Sequence, residues 1–385
     1  MIFLMENLFP SLEDIAGLKK AIELQKQKLE TLRQDVKKLK FKKIDIAGNY
    51  ASVSYKAIDG GNMKINLNPF EMNIIIIADS NGRRKMSFII PEIKGYGDTP
   101  DDKKEALEEI TKEIDKIPII LKFTKMLNCS SISEISYILN NSNAFMEMAE
   151  WACIFDRIKA DNDEPIIIIK DGLLRSKILK AVGKTNYIGL LREILKEKKK
   201  DAKLVGVSKT SAIISLLSTA LHLEKIIPSD AIGYVKIPLE LELKAYKWQG
   251  KGEINREELK PLIYAFGEIY IVKLAKDSNL LVTIEVPKNL ETGEIIYSES
   301  EIDEIISYLA KDSRFSYPVI GYPQTIMRAH EFAVQIGFPA SIIKDEIKDK
   351  IINDLNNRDI EEFLRDGWLI TDSINKGVLG GGKYE

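Results

Sequence analysis

The apolar residues of the chain change their spacing several times, and each spacing predicts a different element. Between residues 11 and 40 apolar side chains recur in alternating steps of three and four, which predicts one long helix. Basic residues flank this stripe at Lys19, Lys26, Arg33 and Lys40. Three interpretations fit: the helix packs on its own protein or an opposite protomer, lies along a polyanion as a basic rail, or forms a free coiled coil.

From residue 49 the apolar spacing changes to two, which predicts strands. The first strand covers residues 50–58 and stops at Asp59-Gly60-Gly61. Two more strands, at residues 73–78 and 84–90, are joined by Asp79-Ser80-Asn81-Gly82, whose Asn-Gly pair suits a hairpin turn. These three strands are expected to form an antiparallel meander.

Helical patterns fill residues 101–161, and strands and helices then alternate. The apolar run at 165–169 reads as a buried strand that ends at Lys170-Asp171-Gly172. A second short strand at 203–207 leads through Ser208-Lys209-Thr210-Ser211 into a helix that ends near residue 222. Further strands are predicted at 233–248, 268–274 and 280–286, and further helices at 173–182, 187–200, 299–310, 323–336 and 342–356.

Composition and charge narrow the classes of function. Hydrophobic residues make up 45% of the 385 residues and charged residues 30%, which is typical of a folded protein. The formal net charge of −2 means that any nucleic-acid surface is a local concentration of basic residues. Cys129 and Cys153 are too few for a disulfide scaffold or a zinc finger. With no signal peptide and no apolar run of about 18 to 20 residues, we expect a cytoplasmic protein without a membrane partner.

Two of the predicted strands end at an aspartate followed by glycine, Asp59-Gly60 and Asp171-Gly172. A single Asp-Gly pair is most often a turn. Here, however, both pairs end the most apolar strand of their region, and ligands of α/β sheets bind outside the strand ends. Carboxylates that meet at such an edge are the hard oxygen ligands that Mg²⁺ and Mn²⁺ prefer. The two aspartates therefore predict a metal site.

Further ligands are expected on helices. The predicted helix at 144–158 offers Glu147 and Glu150, of which we prefer Glu150, although an acidic residue on an amphipathic helix is by default solvated. The late helix carries His330, one of two histidines in the chain, eight residues after Tyr322. Such a histidine is commonly a packing or surface residue, but imidazole also binds Mn²⁺ and can donate to a phosphate oxygen.

The order of elements gives the fold class. A strand with an aspartate, an antiparallel meander, a helix, a second strand with an aspartate and a late helix with another ligand is the order of an α/β, ribonuclease H-like core with a mixed sheet. We expect a long N-terminal helix in residues 1–45 that serves for packing or as a dimer arm. Residues 46–340 form the ribonuclease H-like domain with a helical insertion at about 100–160, and residues 341–385 form a C-terminal helix and a mobile Gly-rich tail.

Several segments in this order resemble the NurA family of archaeal and bacterial nucleases. They are Ala57-Ile58-Asp59-Gly60-Gly61, Ile168-Ile169-Lys170-Asp171-Gly172-Leu173-Leu174, Val205-Gly206-Val207-Ser208-Lys209-Thr210-Ser211, and residues 321–331 from Gly-Tyr-Pro to Ala-His-Glu. The resemblance implies a ribonuclease H-like core, a ring-shaped homodimer and a hexameric HerA-type ATPase as partner. It also implies Mn²⁺-dependent 5′ to 3′ exonuclease and single-strand endonuclease activity on DNA in end resection.

The resemblance can be carried over residue by residue. Asp59 and Asp171 match the metal-binding aspartates of the family, and Tyr322 and His330 match its late tyrosine and histidine. Glu150 precedes Asp171 by 21 residues, a longer interval than the family pattern suggests, so Glu147 and Asp156 remain alternatives for the third ligand. The chain departs from the pattern at Leu173, where a small hydroxyl residue is expected, and at Gln324, where an aromatic residue is expected.

The hypothesis from the sequence is hydrolysis of DNA by one or two Mn²⁺ or Mg²⁺ ions held by Asp59, Glu150 and Asp171, with water attacking in line. His330 completes the set of ligands or holds the scissile phosphate, Lys209 binds a phosphate or is an ordinary helix-start lysine, and Tyr322 stacks on a base or orients a ligand. One alternative is a weak or inactive subunit that binds DNA or docks the translocase. A second is a phosphodiesterase directed at RNA or DNA junctions.

Overall fold

The computed structural model describes residues 12–46, 53–67, 70–91, 100–127, 129–160, 165–174, 202–248, 267–287, 296–334, 337–355 and 365–368. The helices predicted at 173–182 and 187–200 lie almost wholly outside these ranges, and the Gly-rich tail lies outside them. No helix in the described ranges is both long and apolar enough to cross a membrane.

The described strands form one mixed sheet in the order β1-β7-β8-β9-β6-β5-β2-β3-β4. The pairs β2–β5 and β5–β6 are parallel, and the other neighbours are antiparallel. This arrangement confirms the predicted mixed α/β class. The strands are β1 (Phe41–Lys43), β2 (Ser54–Leu67), β3 (Phe70–Asp79), β4 (Arg84–Pro91), β5 (Ile166–Asp171), β6 (Ala202–Ser208), β7 (Gly233–Ile237), β8 (Gly267–Lys273) and β9 (Leu281–Pro287).

Helices cover both faces of the sheet. Apolar side chains of α2, α3 and α4 cover one face of β2 to β6, and those of α5 and α6 continue on the same face over β7 to β9. Side chains of α7, α8 and α9 cover the opposite face. The helices are α1 (Leu12–Val36), α2 (Pro100–Asp115), α3 (Pro118–Met126), α4 (Ser142–Lys159), α5 (Ala212–Leu223), α6 (Leu239–Trp248), α7 (Glu299–Ser313), α8 (Gln324–Val334) and α9 (Gly337–Leu355), with a 3₁₀ segment at Ile132–Asn140.

The last turns of α1 pack on the same protein. Leu32 and Val36 are buried against α5 and α6, and the Arg33 side chain donates to Glu224 at 2.5 Å. The middle of the helix is open to solvent, since Leu18 is 59% exposed and Ile22 45% exposed. Of the interpretations given above, packing on the protein itself therefore holds for the C-terminal turns.

The prediction that the first strand stops at Asp59-Gly60-Gly61 is wrong. β2 continues to Leu67 and pairs with β3 from Ile58, opposite Asp79, to Leu67, opposite Phe70. Gly60 and Gly61 are strand residues and do not form a turn. Gly60 is needed for packing, because a Cβ atom there would lie 2.5 Å from Met146 Cγ on α4. The missing side chain lets α4 approach the sheet at this point.

The strand predicted at 233–248 is only partly correct. β7 ends at Ile237, and α6 follows directly after Pro238. The Leu-Glu-Leu-Glu-Leu run at 239–243 has the spacing of a strand, but Leu241 and Ala245, one helical turn apart, are both buried. Because proline has no N–H for the sheet ladder and β7 lies between β1 and β8, the strand cannot continue through Pro238.

Candidate metal centre

Asp59 and Asp171 are brought together by the parallel pairing of β2 and β5. The last residue pair of that ladder is Ile58 with Lys170, so the two aspartates follow side by side. Side chains alternate along a strand, and Ala57 and Ile169 place both carboxylates on the face covered by α8. Asp59 lies inside its strand, whereas Asp171 ends β5. The expectation that the two carboxylates meet is confirmed, although one of the predicted strand ends is not an end.

His330 completes a group with the two aspartates. In the described part of the chain, one ligand atom each from Asp59, Asp171 and His330 lies within 4.8 Å of the other two. His330 stands on α8, and its Nδ1 is 2.8 Å from Asp59 Oδ2. In the tautomer with the proton on Nδ1, the ring donates to Asp59 and Nε2 keeps a lone pair for a ligand. Half of the His330 side chain is exposed, so the group is accessible from solvent.

Tyr322 holds Asp171 by a hydrogen bond. Its hydroxyl donates to Asp171 Oδ1 at 2.9 Å, and the side chain is 2% exposed. Burial and the neighbouring Asp171 charge raise the pKa of Tyr322, so the hydroxyl keeps its proton and remains a donor. The buried ring favours an orienting role over stacking on a base. Lys209 Nζ lies 5.5 Å from the centre of the Tyr322 ring, a cation–π distance, and brings a positive charge beside the group.

The segment before α8 is held by local hydrogen bonds. Gly321 has a φ of +91°, which favours glycine, and Tyr322 N donates to the Val319 carbonyl. Gln324, which replaces the aromatic residue expected from the resemblance, accepts from Tyr317 N at 3.1 Å. The substitution thus serves to fix the turn that leads into Tyr322.

The electrostatics of the group favour a cation. Burial and the adjacent Asp171 carboxylate raise the pKa of Asp59, while His330 and the Gly60 N–H act in the opposite direction. The net shift shows that the negative charge of Asp59 is poorly compensated by the protein alone. A divalent cation between the carboxylates would supply that compensation.

Glu150 approaches the same place from the opposite face of the sheet. It is buried on α4 and forms an ion pair with Lys170 Nζ at 3.3 Å. Its carboxylate lies directly over Gly60, because a Cβ atom there would be 2.7 Å from Glu150 Oε1. Burial raises the pKa of Glu150 to about 7, against the stabilising charge of Lys170 and with a contribution from Asp59. Glu150 is therefore adjacent to the group of Asp59, Asp171 and His330 without being one of its three members.

The two alternatives for the third ligand lie in different places. Glu147 is partly buried one turn before Glu150, and its charge contributes to the raised pKa of Glu150. Asp156 lies further along α4 and accepts from Lys122 Nζ at 2.8 Å, with 41% of its side chain exposed. Glu150 lies against β2 at Gly60, and Asp156 lies against α3 at Lys122.

Lys170 is a residue of the site to which the sequence analysis gave no role. It is 6% exposed, pairs with Glu150, and donates from Nζ to the Asp171 carbonyl at 3.0 Å. Burial lowers the pKa of Lys170, but Glu150 and Glu147 outweigh that effect and raise it, so the side chain stays charged. The available signal was a lysine in a strand that is otherwise isoleucine up to Asp171.

The donors fit a divalent cation. Two carboxylates suit Mg²⁺ and Mn²⁺, and the imidazole is compatible with Mn²⁺. The side chains come from β2, β5 and α8, three elements that are fixed by the sheet and its packing. The arrangement can thus hold a cation beside Asp59 and Asp171, where the pairing of β2 with β5 ends.

The chain is similar to several known proteins. A family model described as the NurA domain matches residues 54–335. The crystal structure of the NurA nuclease from Sulfolobus solfataricus is 14% identical, with 89% of this chain and 97% of that chain covered and a TM-score of 0.42. A crystal structure of NurA with manganese is 10% identical, with 89% and 99% covered and a TM-score of 0.37. An endonuclease V from Ciona intestinalis in complex with DNA is 11% identical, with 82% and 96% covered and a TM-score of 0.26.

No curated protein sequence matches the chain. The structural similarities are all weak, and the assignment therefore depends on the domain match. Because that match covers residues 54–335, which is most of the chain and includes every residue of the metal centre, the chain belongs to the NurA family.

Proposed function

We propose that this protein is a metal-dependent nuclease that hydrolyses DNA phosphodiester bonds with Mn²⁺ or Mg²⁺. The observation that carries the proposal is the convergence of Asp59, Asp171 and His330, 271 residues apart at the extremes, within 4.8 Å. Membership of the NurA family supports it. We also propose that the core is ribonuclease H-like, because β4, β3 and β2 form an antiparallel meander that β5 and β6 extend in parallel.

The proposed ligands are Asp59, Asp171 and His330. Glu150, the further ligand expected from the sequence, stays a proposal: its carboxylate lies over Gly60 on the opposite face of the sheet, where β2 has no side chain. When bound, a divalent cation supplies positive charge to the phosphoryl oxygens and lowers the pKa of the attacking water. Without that charge the two carboxylates would repel a phosphate.

The other side chains have positioning and binding roles in this proposal. Tyr322 fixes the orientation of Asp171 through its hydroxyl, and Lys170 holds Glu150 against β2. Lys209 is exposed beside Tyr322 and provides the positive charge that binds a substrate phosphate. The half-exposed His330 ring can donate to the scissile phosphate when it is not a ligand.

We further propose the activities and partners that the NurA family implies. These are 5′ to 3′ exonuclease and single-strand endonuclease activity in DNA end resection, a hexameric HerA-type ATPase as partner, and a homodimer located in the cytoplasm. In this proposal residues 1–45 form a packing or dimer arm, residues 46–340 the nuclease domain, and residues 341–385 a C-terminal extension. Support comes from the domain match, which lies within residues 46–340.

Cleavage of end-labelled single-stranded DNA with Mn²⁺ tests the proposal. Asp59→Asn and Asp171→Asn each remove a ligand charge at nearly constant size and should reduce cleavage more than about 100-fold, beyond the usual effect of residues around a metal shell. Asp156→Asn is a matched control, because Asp156 pairs with Lys122 on an exposed part of α4. It should leave cleavage unchanged. Labels at the 5′ and 3′ ends give the polarity, and an RNA substrate tests the RNA-directed alternative.

Two results would overturn this proposal. Retained cleavage in both aspartate variants would refute the metal centre. Wild-type protein that binds DNA or the ATPase but leaves DNA uncut with Mn²⁺ would instead favour the inactive docking subunit.

A further inference from the structure

Glu285 is a fully buried carboxylate that the proposed mechanism does not use. It lies in the middle of β9, whose seven residues are all buried, and the side chain is 0% exposed. Its neighbours Ile284 and Val286 face the α8 side of the sheet, so Glu285 points to the other face. Burying a carboxylate costs free energy unless it is hydrogen-bonded, and its partners therefore indicate what it does.

The two oxygens of Glu285 accept backbone N–H groups from two different segments. Oε2 accepts from Leu174 N at 2.9 Å, and Oε1 accepts from Gly267 N at 3.0 Å. Leu174 is the third residue after Asp171. One carboxylate thus ties the segment after the metal-binding aspartate to a strand two places away in the sheet.

The segment between Asp171 and Leu174 turns sharply over β6. Gly172 has a φ of +91°, and its N–H donates to the Val207 carbonyl at 2.8 Å. The turn then crosses Gly206, where a Cβ atom would lie 2.8 Å from both the Gly172 carbonyl oxygen and Leu174 N. Gly206 pairs directly with Glu285 in the sheet, so the bare glycine admits the segment and the adjacent carboxylate binds it.

We infer that Glu285 is a positioning residue of the metal centre, which holds the turn after β5 and thereby fixes where the Asp171 carboxylate points. This inference rests on the proposed function. Asp171 pairs with Val207 of β6, but the ladder with β2 ends one residue earlier, at Lys170. The bonds of Gly172 to Val207 and of Leu174 to Glu285 set the direction of the chain that leaves it.

Mn²⁺ binding, measured by calorimetry on the full chain, tests this role without relying on activity. Glu285→Gln keeps the size of the side chain but replaces one acceptor oxygen with an amide N–H₂ group. That group cannot accept from Leu174 N or Gly267 N, so one of the two hydrogen bonds is lost. We expect Mn²⁺ affinity to fall about 10-fold, the lower end of the effect of residues that orient metal ligands. Hydrogen–deuterium exchange of the peptide that contains Leu174 should become faster in the same variant.

A matched control separates positioning from a general loss of stability. Glu268 on β8 is also a buried carboxylate, and it is bonded to Lys236 of β7 and Tyr270 of β8. Its strand lies three places, or about 14 Å, from β5. Glu268→Gln should leave Mn²⁺ affinity unchanged. Gly206→Ala pushes on the same turn from β6, because its Cβ would lie 2.8 Å from the Gly172 carbonyl oxygen and from Leu174 N. It should weaken Mn²⁺ binding as Glu285→Gln does, which keeps the test decisive if the Glu285 variant does not fold.

The outcomes discriminate between the inferences. Wild-type Mn²⁺ affinity in Glu285→Gln or in Gly206→Ala, or an equal loss in Glu268→Gln, would overturn the role of Glu285 while the metal centre stands. Failure of the wild-type protein to bind Mn²⁺ would instead refute the metal centre itself, and the role of Glu285 with it.

Discussion

The hydrogen bond from Tyr322 to Asp171 gives the sharpest prediction for the metal centre. Tyr322→Phe removes one hydroxyl and keeps the ring that fills the space between α8 and the sheet. The lost bond joins a buried neutral donor to a carboxylate at 2.9 Å. Hydrogen bonds to charged groups contribute about 1.5 to 3 kcal/mol, so the free energy of unfolding should fall by about that amount.

The same substitution should weaken metal binding. Without the hydroxyl, Asp171 Oδ1 loses the donor that orients it toward Asp59 and His330. Residues that orient metal ligands change affinity about 10- to 100-fold, so Mn²⁺ affinity should fall by a factor in this range. Calorimetric titration with Mn²⁺ and denaturant unfolding in a chelator measure the two effects separately.

Tyr270 offers a matched control in the same sheet. Its hydroxyl donates to Glu268 Oε2 at 2.6 Å, and the side chain is 3% exposed, so Tyr270→Phe also removes a buried tyrosine–carboxylate bond. It should lower stability by a similar amount and leave Mn²⁺ affinity unchanged. The reasoning fails if Tyr322→Phe binds Mn²⁺ like the wild type, or if Tyr270→Phe weakens binding as strongly.

Two further predictions concern α4 and its approach to β2. Gly60→Ala places a Cβ atom 2.5 Å from Met146 Cγ and 2.7 Å from Glu150 Oε1, so it should lower the free energy of unfolding by about 1 to 3 kcal/mol and reduce cleavage. Gly17→Ala is the control, because its Cβ would meet nothing within 4 Å and should not destabilise the protein. Equal melting temperatures of the two variants would contradict the close packing at Gly60. Folding raises the pKa of Glu150 from 4.5 to about 7. Between these two values Glu150 keeps its proton in the folded state and releases it in the unfolded state, so the free energy of unfolding should fall as the pH rises from 4.5 to 7. Measured in a chelator, the free energy of unfolding of the wild type should fall by about 3 kcal/mol more than that of Glu150→Gln between pH 4.5 and 7. Parallel pH profiles of unfolding for the two proteins would refute the raised pKa.

Much of the fold was predictable because apolar spacing records burial directly. The hairpin at residues 79–84 was predicted from its Asn-Gly pair, and Gly82 has the positive φ that this turn requires. The buried strand at 166–171 was predicted from a run of isoleucines that are buried on both faces. The start of the helix at residue 212 was also predicted: Ser211 is its N-cap, and the Ser211 side chain accepts from Ile214 N.

The strand boundaries were predicted wrongly where the same residue pattern is compatible with two structures. Gly60 and Gly61 read as a turn, but they are strand residues because α4 needs the space that a side chain at Gly60 would fill. The alternating Leu and Glu residues at 239–243 read as a strand, although Pro238 had already ended it. At Gly60 a tertiary contact with α4 decided the structure, whereas at 239–243 the local signal of Pro238 outweighs the alternating spacing.

The site was predicted in part. Asp59, Asp171 and His330 were expected as ligands and lie together. For Tyr322 the sequence left open whether it stacks on a base or orients a ligand, and its hydroxyl donates to Asp171. The third carboxylate stays a prediction, because the choice between residues of α4 depends on how closely the helix approaches the sheet. Glu285 was missed, although a single charged residue in the run Leu-Val-Thr-Ile-Glu-Val-Pro was a visible signal of a buried acceptor.

Side chains alternate between the two faces of the sheet along β5, and this alternation limits insertions and deletions in the strand. Lys170 serves the α4 face and Asp171 the α8 face, so two adjacent residues supply opposite sides of the sheet. Inserting or deleting one residue within the isoleucine run would exchange them, turning the lysine toward His330 and the carboxylate toward Glu150. The number of residues in this six-residue strand therefore has to stay fixed for both faces to keep their side chains.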